Sequence, residues 1–328
     1  MSGEASGAPG CPACGTAWGE ERMACTASDG REFRYGGCPG CGLYRLTPLP
    51  VPAEIAGFYD TAYYGAGERK FPALMDQVRG LFLRRRAMRV ARWTGRAAGR
   101  ALDVGCGDGR FLGHMQQLGW QVSGTELPGA AFDRAQKIPG IQLHAGTLTS
   151  GLFPPASFDA ITIWHVLEHV PDPLALLRAC RDLLAPGGLL VVEVPNTDSW
   201  QNQLFGALAF NVDPPRHLYQ FGPDSLGRLL ARAGFSVRRR ETSSLEMGVI
   251  GAAQSVMNGL IKPRDLFYDL LRSRWKCPGR PAAKWMSLLL AAPLLPAGLI
   301  FTVAETLAGH GPALRLVCEG AANSSGGS

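Results

Sequence analysis

Residues Ala101–Leu112 read ALDVGCGDGRFL, an apolar run that ends on three alternate glycines and passes directly into a helical pattern. Glycines at this spacing serve a backbone that must turn sharply and approach a ligand closely, where a Cβ would collide. A strand that feeds such a loop and then a helix belongs in a parallel α/β sheet, with its ligand beyond the carboxyl end of the strand. The spacing Gly105-x-Gly107-x-Gly109 is not the G-x-G-x-x-G of dinucleotide folds, whose loop cradles a pyrophosphate. A tighter loop led by an acidic residue, Asp103, suits a cationic ligand without phosphates. An isolated glycine loop is also what an ordinary turn looks like, so the flanking elements decide.

Those elements alternate. Short apolar or β-branched runs predict strands at Ala101–Gly105, Gln121–Glu126, Ile141–Ala145, Phe158–Trp164, Leu189–Val194, Phe235–Glu241 and Ala313–Glu319. Helical patterns between them cover about Arg110–Leu118, Pro128–Gln136, Pro173–Leu184 and Pro223–Ala233, the last stopped by Gly234 as a C′ glycine. A basic helix is expected from about Pro72 to Trp93. This βαβ rhythm implies an α/β fold with a parallel sheet.

With Glu126 closing the second strand, Phe158–Trp164 as a fourth and Leu184-Ala-Pro-Gly-Gly-Leu189 before the fifth, the chain resembles the class I S-adenosylmethionine-dependent methyltransferases. The resemblance spans roughly residues 55–241 plus the last strand. It implies an enzyme with a Rossmann-like seven-stranded methyltransferase sheet whose last strand is antiparallel. It also implies S-adenosyl-L-methionine as cofactor, held by Asp103, Gly105, Gly107 and Gly109, with Glu126 accepting from the ribose hydroxyls. After its third strand the family usually places an Asp, following a Gly, for the adenine amino group. This chain has Gly146-Thr147-Leu148, so backbone and packing would hold adenine, with Thr147, Leu148 and Trp164 as contacts. Related enzymes carry a lid where this chain has Phe58–Gly65, which makes Tyr63 and Tyr64 candidate cofactor contacts; packing between domains is the alternative use of those rings.

Residues 1–50 are a separate matter. Cys11-Pro-Ala-Cys14-Gly and Cys38-Pro-Gly-Cys41-Gly are duplicate knuckles, each aiming two thiolates at one point. Together they predict a Cys₄ zinc ribbon with no open position, hence a structural Zn2+. Cys25 is a spare, and Cys106, Cys180, Cys277 and Cys318 have no partner in the pattern. The domain reading is a ribbon at 1–50 and a methyltransferase domain at 51–328, the latter with a lid and first helix at 51–100 and an apolar helical insert at 242–312. Nine cysteines without a visible secretory signal point to a reducing, cytoplasmic compartment.

Methyl transfer from a sulfonium depends on alignment, and an oxygen acceptor must also lose a proton. His217 is the candidate catalytic base. It stands in the Pro-kinked loop Asn211–Phe221, whose Pro-Arg-His-Leu stretch resembles that of a bacterial methyltransferase group with N-terminal ribbons. A cap or packing role is the plainer alternative. His165, Glu168 and His169 form a second set, similar to the Glu-His pair of ubiquinone-pathway O-methyltransferases, where an upstream Glu helps to hold a divalent metal. Here that upstream position is His165; a His/Glu/His set could bind a metal, but a structural role is the preferred reading, with Glu168 and His169 as walls of the acceptor pocket.

The insert is the chain's least ordinary part. Trp285–Ala304 carries no charge, while Lys262–Lys284 carries seven Lys/Arg against two Asp. Pro293 and Pro296 predict a helix–break–helix and argue against a straight membrane span. A basic stretch beside an apolar hairpin suits peripheral contact with the cytoplasmic membrane face; a subunit interface or a cap over the acceptor pocket is the alternative. The expected activity is methyl transfer to a small-molecule, lipid or glycan-precursor acceptor. An RNA methyltransferase, using the ribbon and basic helix to hold nucleic acid, is the rival. No Asn/Asp-Pro-Pro-Tyr/Phe motif follows the fourth strand, which weighs against exocyclic base methylation.

Overall fold

The computed structural model describes residues 10–58, 73–272 and 281–321. Three short strands, β1 (Glu21–Thr26), β2 (Glu32–Gly37) and β3 (Tyr44–Thr47), form an antiparallel meander. Helices α1 (Pro52–Gly57) and α2 (Ala73–Thr94) lead into the main α/β sheet. There β4 (Arg100–Val104), α3 (Arg110–Gln117), β5 (Gln121–Glu126), α4 (Ala130–Gln136) and β6 (Ile141–Ala145) follow. Next come β7 (Phe158–Trp164), α5 (Pro173–Leu183), β8 (Leu184–Pro195), α6 (Trp200–Phe205), β9 (Tyr219–Gln220), α7 (Pro223–Arg232) and β10 (Phe235–Glu241). The insert supplies α8 (Leu245–Leu260), α9 (Leu266–Leu271) and α10 (Pro281–Leu307) before β11 (Ala313–Gly320).

The central sheet has the order β10-β11-β8-β7-β4-β5-β6, with β11 antiparallel to both its neighbours and the other pairings parallel. Leu102, Ile161, Ile163, Leu190, Val192 and Val194 are fully buried, as expected of strands covered on both faces. Strand order reverses at β4, whose neighbours are β5 and β7, and that switch point is where open α/β sheets take a ligand. Local signals set the helix ends. Asp172 caps α5 by accepting from the Ala175 amide at 2.9 Å, with Pro173 at the first turn. Gly234, at φ +82°, ends α7.

The ribbon is not a free-standing module. Its sheet continues from β3 into β9, pairing Tyr44 with Gln220 and Arg45 with Tyr219. Arg232 of α7 donates to the carbonyls of Cys11 and Pro12 at 3.1 and 2.8 Å, fixing the first knuckle to the main α/β unit. The unit expected at 1–50 thus completes its sheet with a strand from the domain expected at 51–328.

The expected break at the two prolines does not occur: α10 runs unbroken through Pro293 and Pro296. Each proline removes an amide donor and orphans a carbonyl four residues earlier. Those carbonyls belong to Leu289 and Ala292, both exposed, so neither is buried without a partner. On its docked side α10 presents Ser287, Ala291, Gly298 and Thr302 to the protein. Gly298 lies so close to α8 that a Cβ would sit 2.9 Å from the Val249 carbonyl oxygen. The opposite side is an apolar ridge that includes Trp285, Leu289, Ile300 and Leu307, all exposed.

Arginines on α2 face inward as well as out. Arg79 pairs with Asp108 at 2.6 Å, Arg86 with Glu193 at 3.0 Å and Glu246 at 3.1 Å, and Arg89 with Glu241. Asp76 receives Arg110 at 2.8 Å. These bonds clamp α2 across the glycine loop, so only part of the basic helix is a solvated face.

Candidate functional site

Asp103 lies in β4, paired in register with Thr162 of β7, and this register brings the Thr162 hydroxyl to its carboxylate at 2.6 Å. The carboxyl is 3% exposed. Burial pushes its pKa up to about 7, against the Thr162 bond and the Arg86 charge, with Glu126 adding to the rise. The three glycines that follow all have positive φ, +69°, +60° and +72°. At Gly105 a Cβ would lie 2.6 Å from a Val166 methyl, so the loop packs against the segment after β7. At Gly107 nothing lies within 4 Å of the Cβ position, an open cradle facing the switch point. Glu126, at the end of β5, accepts from the Gly107 amide at 2.7 Å and from its own neighbour Leu127 at 2.9 Å. The structure therefore brings the loop, Asp103 and Glu126 together at the switch point, an arrangement that suits a phosphate-free nucleoside ligand.

The other residues expected from sequence to contact the cofactor are more dispersed. Thr147 is exposed just past β6, while Leu148 is buried in the core cluster that also holds Phe153 and Phe158. Trp164 ends β7 with Arg86 4.3 Å above its ring and Phe111 edge-on at 5.6 Å. Tyr63 and Tyr64 lie outside the described residues.

Beside the carboxyl ends of β7 and β8 lies a cavity of about 470 Å³. Its walls come from three parts of the chain: Asp29 of the ribbon, Tyr268 and Arg272 of the insert, and Glu168, His169 and His217 of the loops after β7 and before β9. Arg264 staples these parts together, donating to the carbonyls of Thr26, Ala209 and Val212 at 3.0, 2.9 and 2.8 Å. Tyr35 of β2 donates to the His217 carbonyl at 2.6 Å. The insert thus caps the cavity, one of the roles open to it from sequence.

His217 is buried and stacks edge-on against His169, ring centroids 4.8 Å apart. Burial, then the neighbouring His169, pulls its pKa down to about 4, and Asp213 and Glu168 only partly oppose this. His165, at φ +53°, is instead drawn to Glu193, whose carboxylate lies 3.1 Å from its Nε2. Glu193 is wholly buried between Arg86, Arg315 and His165. Burial alone would raise its carboxyl, but the two guanidiniums and the imidazole outweigh that and hold it well below the carboxylate range. Burial disfavours the charged His165, yet Glu168 and Glu193 raise it to about 9.

Sequence reasoning missed Thr162, Glu193, Arg264 and the cavity residues of the insert. Thr162 is legible only once the β4–β7 register is known, and Glu193 reads in sequence as one acid inside an apolar strand. At the N-terminus the four knuckle sulfurs come together, Cys11 and Cys41 3.6 Å apart and Cys14 and Cys38 3.4 Å apart, all within 4.8 Å of one another. Four convergent thiols, of which Cys14 also donates to the Thr16 hydroxyl at 3.3 Å, suit a tetrahedral cation.

A family model described as a methyltransferase domain matches residues 75–239, half of the chain. The chain is 36% identical over 149 residues to a ubiquinone biosynthesis O-methyltransferase of Albidiferax ferrireducens, covering 42% of this chain and 56% of that protein. It is 39% identical over 103 residues to a protein of the same name from Xanthomonas campestris, covering 30% and 43%. The chain therefore spans about half the length of the curated relatives it matches. Among solved structures it resembles a putative sarcosine dimethylglycine methyltransferase of Galdieria sulphuraria, with 15% identity, TM-score 0.49, and coverage of 81% of this chain and 97% of that one. It also resembles the 1,6-didemethyltoxoflavin-N1-methyltransferase of Burkholderia thailandensis, with 16% identity, TM-score 0.48, and coverage of 87% and 97%. With the family match, the sheet order and the glycine loop in agreement, the chain belongs to the class I S-adenosylmethionine-dependent methyltransferases and is an enzyme of that class.

Proposed function

We propose that this enzyme transfers the methyl group of S-adenosylmethionine to an oxygen of a small, partly apolar acceptor. The observation that carries the reading is the cavity at the carboxyl ends of β7 and β8, which is walled by Glu168, His169 and His217. The curated relatives named for O-methylation support the choice of oxygen. The cofactor supplies the electrophilic methyl group. Asp103 and Glu126 hold its charged and ribose parts, while the cavity aligns the acceptor for in-line attack. A hydroxyl acceptor must lose its proton, and His217, in its cluster with Glu168 and His169, is the catalytic residue assigned to that step.

Two finer readings belong with it. The ribbon holds a structural Zn2+ through Cys11, Cys14, Cys38 and Cys41, and by bracing Tyr35 and the β1–β2 turn it shapes the acceptor cavity. The exposed ridge of α10 rests on the cytoplasmic membrane face, which would give a lipid-like acceptor a short route into a cavity that α8 and α9 help to enclose. Among the described residues α10 alone is long and apolar enough to cross a membrane by length and composition. RNA as acceptor is disfavoured because Arg79, Arg86 and Arg89 of α2 are already engaged by acids of the fold.

His217→Ala tests the assignment. Methyl transfer to the acceptor should fall by roughly a hundredfold or more, while affinity for S-adenosylmethionine stays within about twofold. Unchanged turnover would make His217 a packing residue.

A further inference from the structure

His165 is the first residue after β7, and its backbone lies at φ +53°, a region that L side chains rarely adopt. Its amide donates to the Glu193 carbonyl of β8 at 2.9 Å, and its ring is set between two carboxylates. Nε2 lies 3.1 Å from Glu193 and Nδ1 lies 3.5 Å from Glu168. Both acids are out of water, at 0% and 1% exposure. A neutral imidazole keeps a lone pair on one nitrogen, which here would face an anion, so the arrangement calls for a proton on each. Strained backbone persists where its surroundings over-determine it, commonly at a functional site.

The two acids differ in what else holds them. Glu193 is paired with Arg86 of α2 at 3.0 Å and with Arg315 of β11, so it has cations enough without the imidazole. Among the described residues Glu168 has one ion pair, that with His165, and its oxygens accept no hydrogen bond. Burial alone would raise its carboxyl, but His165, helped by the charges of His169 and His217, lowers it. Glu168 lines the cavity, with one atom from each of Glu168, His169 and His217 within 4.8 Å of the other two. Burial, then His169, pulls His217 down, and the charges of Asp213 and Glu168 oppose this.

We propose that Glu193 and His165 are positioning residues of the acceptor site: Glu193 fixes His165 as an imidazolium, and the imidazolium holds the Glu168 carboxylate charged at the cavity wall beside His217. The inference rests on the reading of His217 as the base for a hydroxyl acceptor and deepens it. When the acceptor oxygen takes the methyl group its proton passes to His217, and the Glu168 anion offsets the charge that His217 then carries. With its pKa raised to about 9 by Glu168 and Glu193, against burial, His165 stays charged throughout the neutral range. The charged groups around it are these two acids, with Glu246 of α8 behind Arg86 and Glu241 of β10 behind Arg315. Arg86 also lies 4.3 Å above the Trp164 ring, and its charge opposes the rise of the Asp103 carboxyl. The same arginine thus joins this chain of charges to the cofactor loop.

The test uses the full chain with S-adenosylhomocysteine bound. The imidazole nitrogen resonances lost in His165→Gln belong to His165 and should report a cation that titrates at about 9. In Glu193→Gln that value should fall by roughly one to three pH units, the usual effect of an opposite charge at contact. The side-chain carboxyl carbon lost in Glu168→Gln should titrate below the ordinary carboxylate range in the wild type and move to higher pH in His165→Gln. His165→Lys puts a cation back on the same strained backbone and should bring that titration down again. Binding of S-adenosylmethionine to each variant reports that it is folded, and the two His165 variants decide the matter if Glu193→Gln does not fold. With the cell fraction that takes label from the wild type, the acid limb of turnover should move to higher pH in His165→Gln. It should return in His165→Lys, at unchanged KM for the cofactor. An ordinary imidazole pKa for His165, an unmoved Glu168 carboxyl in folded His165→Gln, or a turnover profile indifferent to both variants would overturn the proposal. The titrations involve no methyl transfer, so their failure leaves the O-methylation reading intact. Transfer to nitrogen or to RNA would refute that reading without touching the titrations.

Discussion

The backbone amide of Gly107 donates to Oε2 of Glu126 at 2.7 Å, which ties the glycine loop after β4 to the end of β5. The other oxygen of the same carboxylate takes the Leu127 amide at 2.9 Å. A carboxylate has about four lone-pair sites, so both oxygens are oriented by the backbone while acceptor capacity remains for ribose hydroxyls. Glu126→Ala removes the ribose partner and the loop's tether together. Charge-assisted bonds are worth on the order of 1.5–3 kcal/mol, so affinity for S-adenosylmethionine should fall roughly ten- to hundredfold by calorimetry. Wild-type affinity in the variant would remove the ribose assignment.

Asp103 should make cofactor binding depend on pH. With its carboxyl at about 7 in the folded protein, it is largely protonated in mildly acidic solution. Its folded-state pKa lies above the unfolded one, so its contribution to folding is full below the ordinary carboxylate range. That contribution is lost as pH rises through about 7. Binding runs the other way, because a cationic cofactor prefers the ionised carboxylate. Affinity should rise with pH by up to about tenfold per unit below the pKa and level off above it, with proton release detectable in buffers of different ionisation enthalpy. Asp103→Asn should flatten the profile. A pH-independent wild-type affinity would show that the carboxyl is not near the cofactor's charge.

Much of this was legible in the sequence because it is local. Strands β5, β6, β7 and β10 lie where the short apolar or β-branched runs predict them. Asp103 and the three glycines fall together because one strand–loop–helix unit holds them, and Glu126, 23 residues after Asp103, joins them as the end of the neighbouring parallel strand. What escaped is long-range. β9 is two residues long and has no periodicity, so its pairing with β3 of the ribbon carries no sequence signal. The meeting of His217 with Glu168 and His169, 48 residues apart at its closest in sequence, depends on how the loop before β9 returns to the sheet edge. The two prolines of α10 misled because a proline's cost depends on whether the carbonyl it orphans is buried, and exposure is set by the docking of the helix.

The ridge of α10 predicts attachment to lipid. Apolar area taken from water contributes about 25 cal/mol per Å², and basic residues near an anionic surface add roughly 1 kcal/mol each. The protein should float with phosphatidylglycerol vesicles. Leu289→Asp combined with Ile300→Asp should leave it in the dense fraction with cofactor binding intact. Wild-type protein that stays dense, with a mass in solution above one chain that the double variant lowers, would make the ridge a subunit interface.

The most direct test follows the methyl group itself. The enzyme is incubated with methyl-labelled S-adenosylmethionine and, separately, with the small-molecule, lipid and RNA fractions of a cell extract, alongside His217→Ala. Label should enter an organic-extractable small molecule or lipid, on an oxygen by its carbon chemical shift, and should be largely absent with His217→Ala. Label recovered in RNA, on nitrogen, or equally with wild type and His217→Ala would contradict the account.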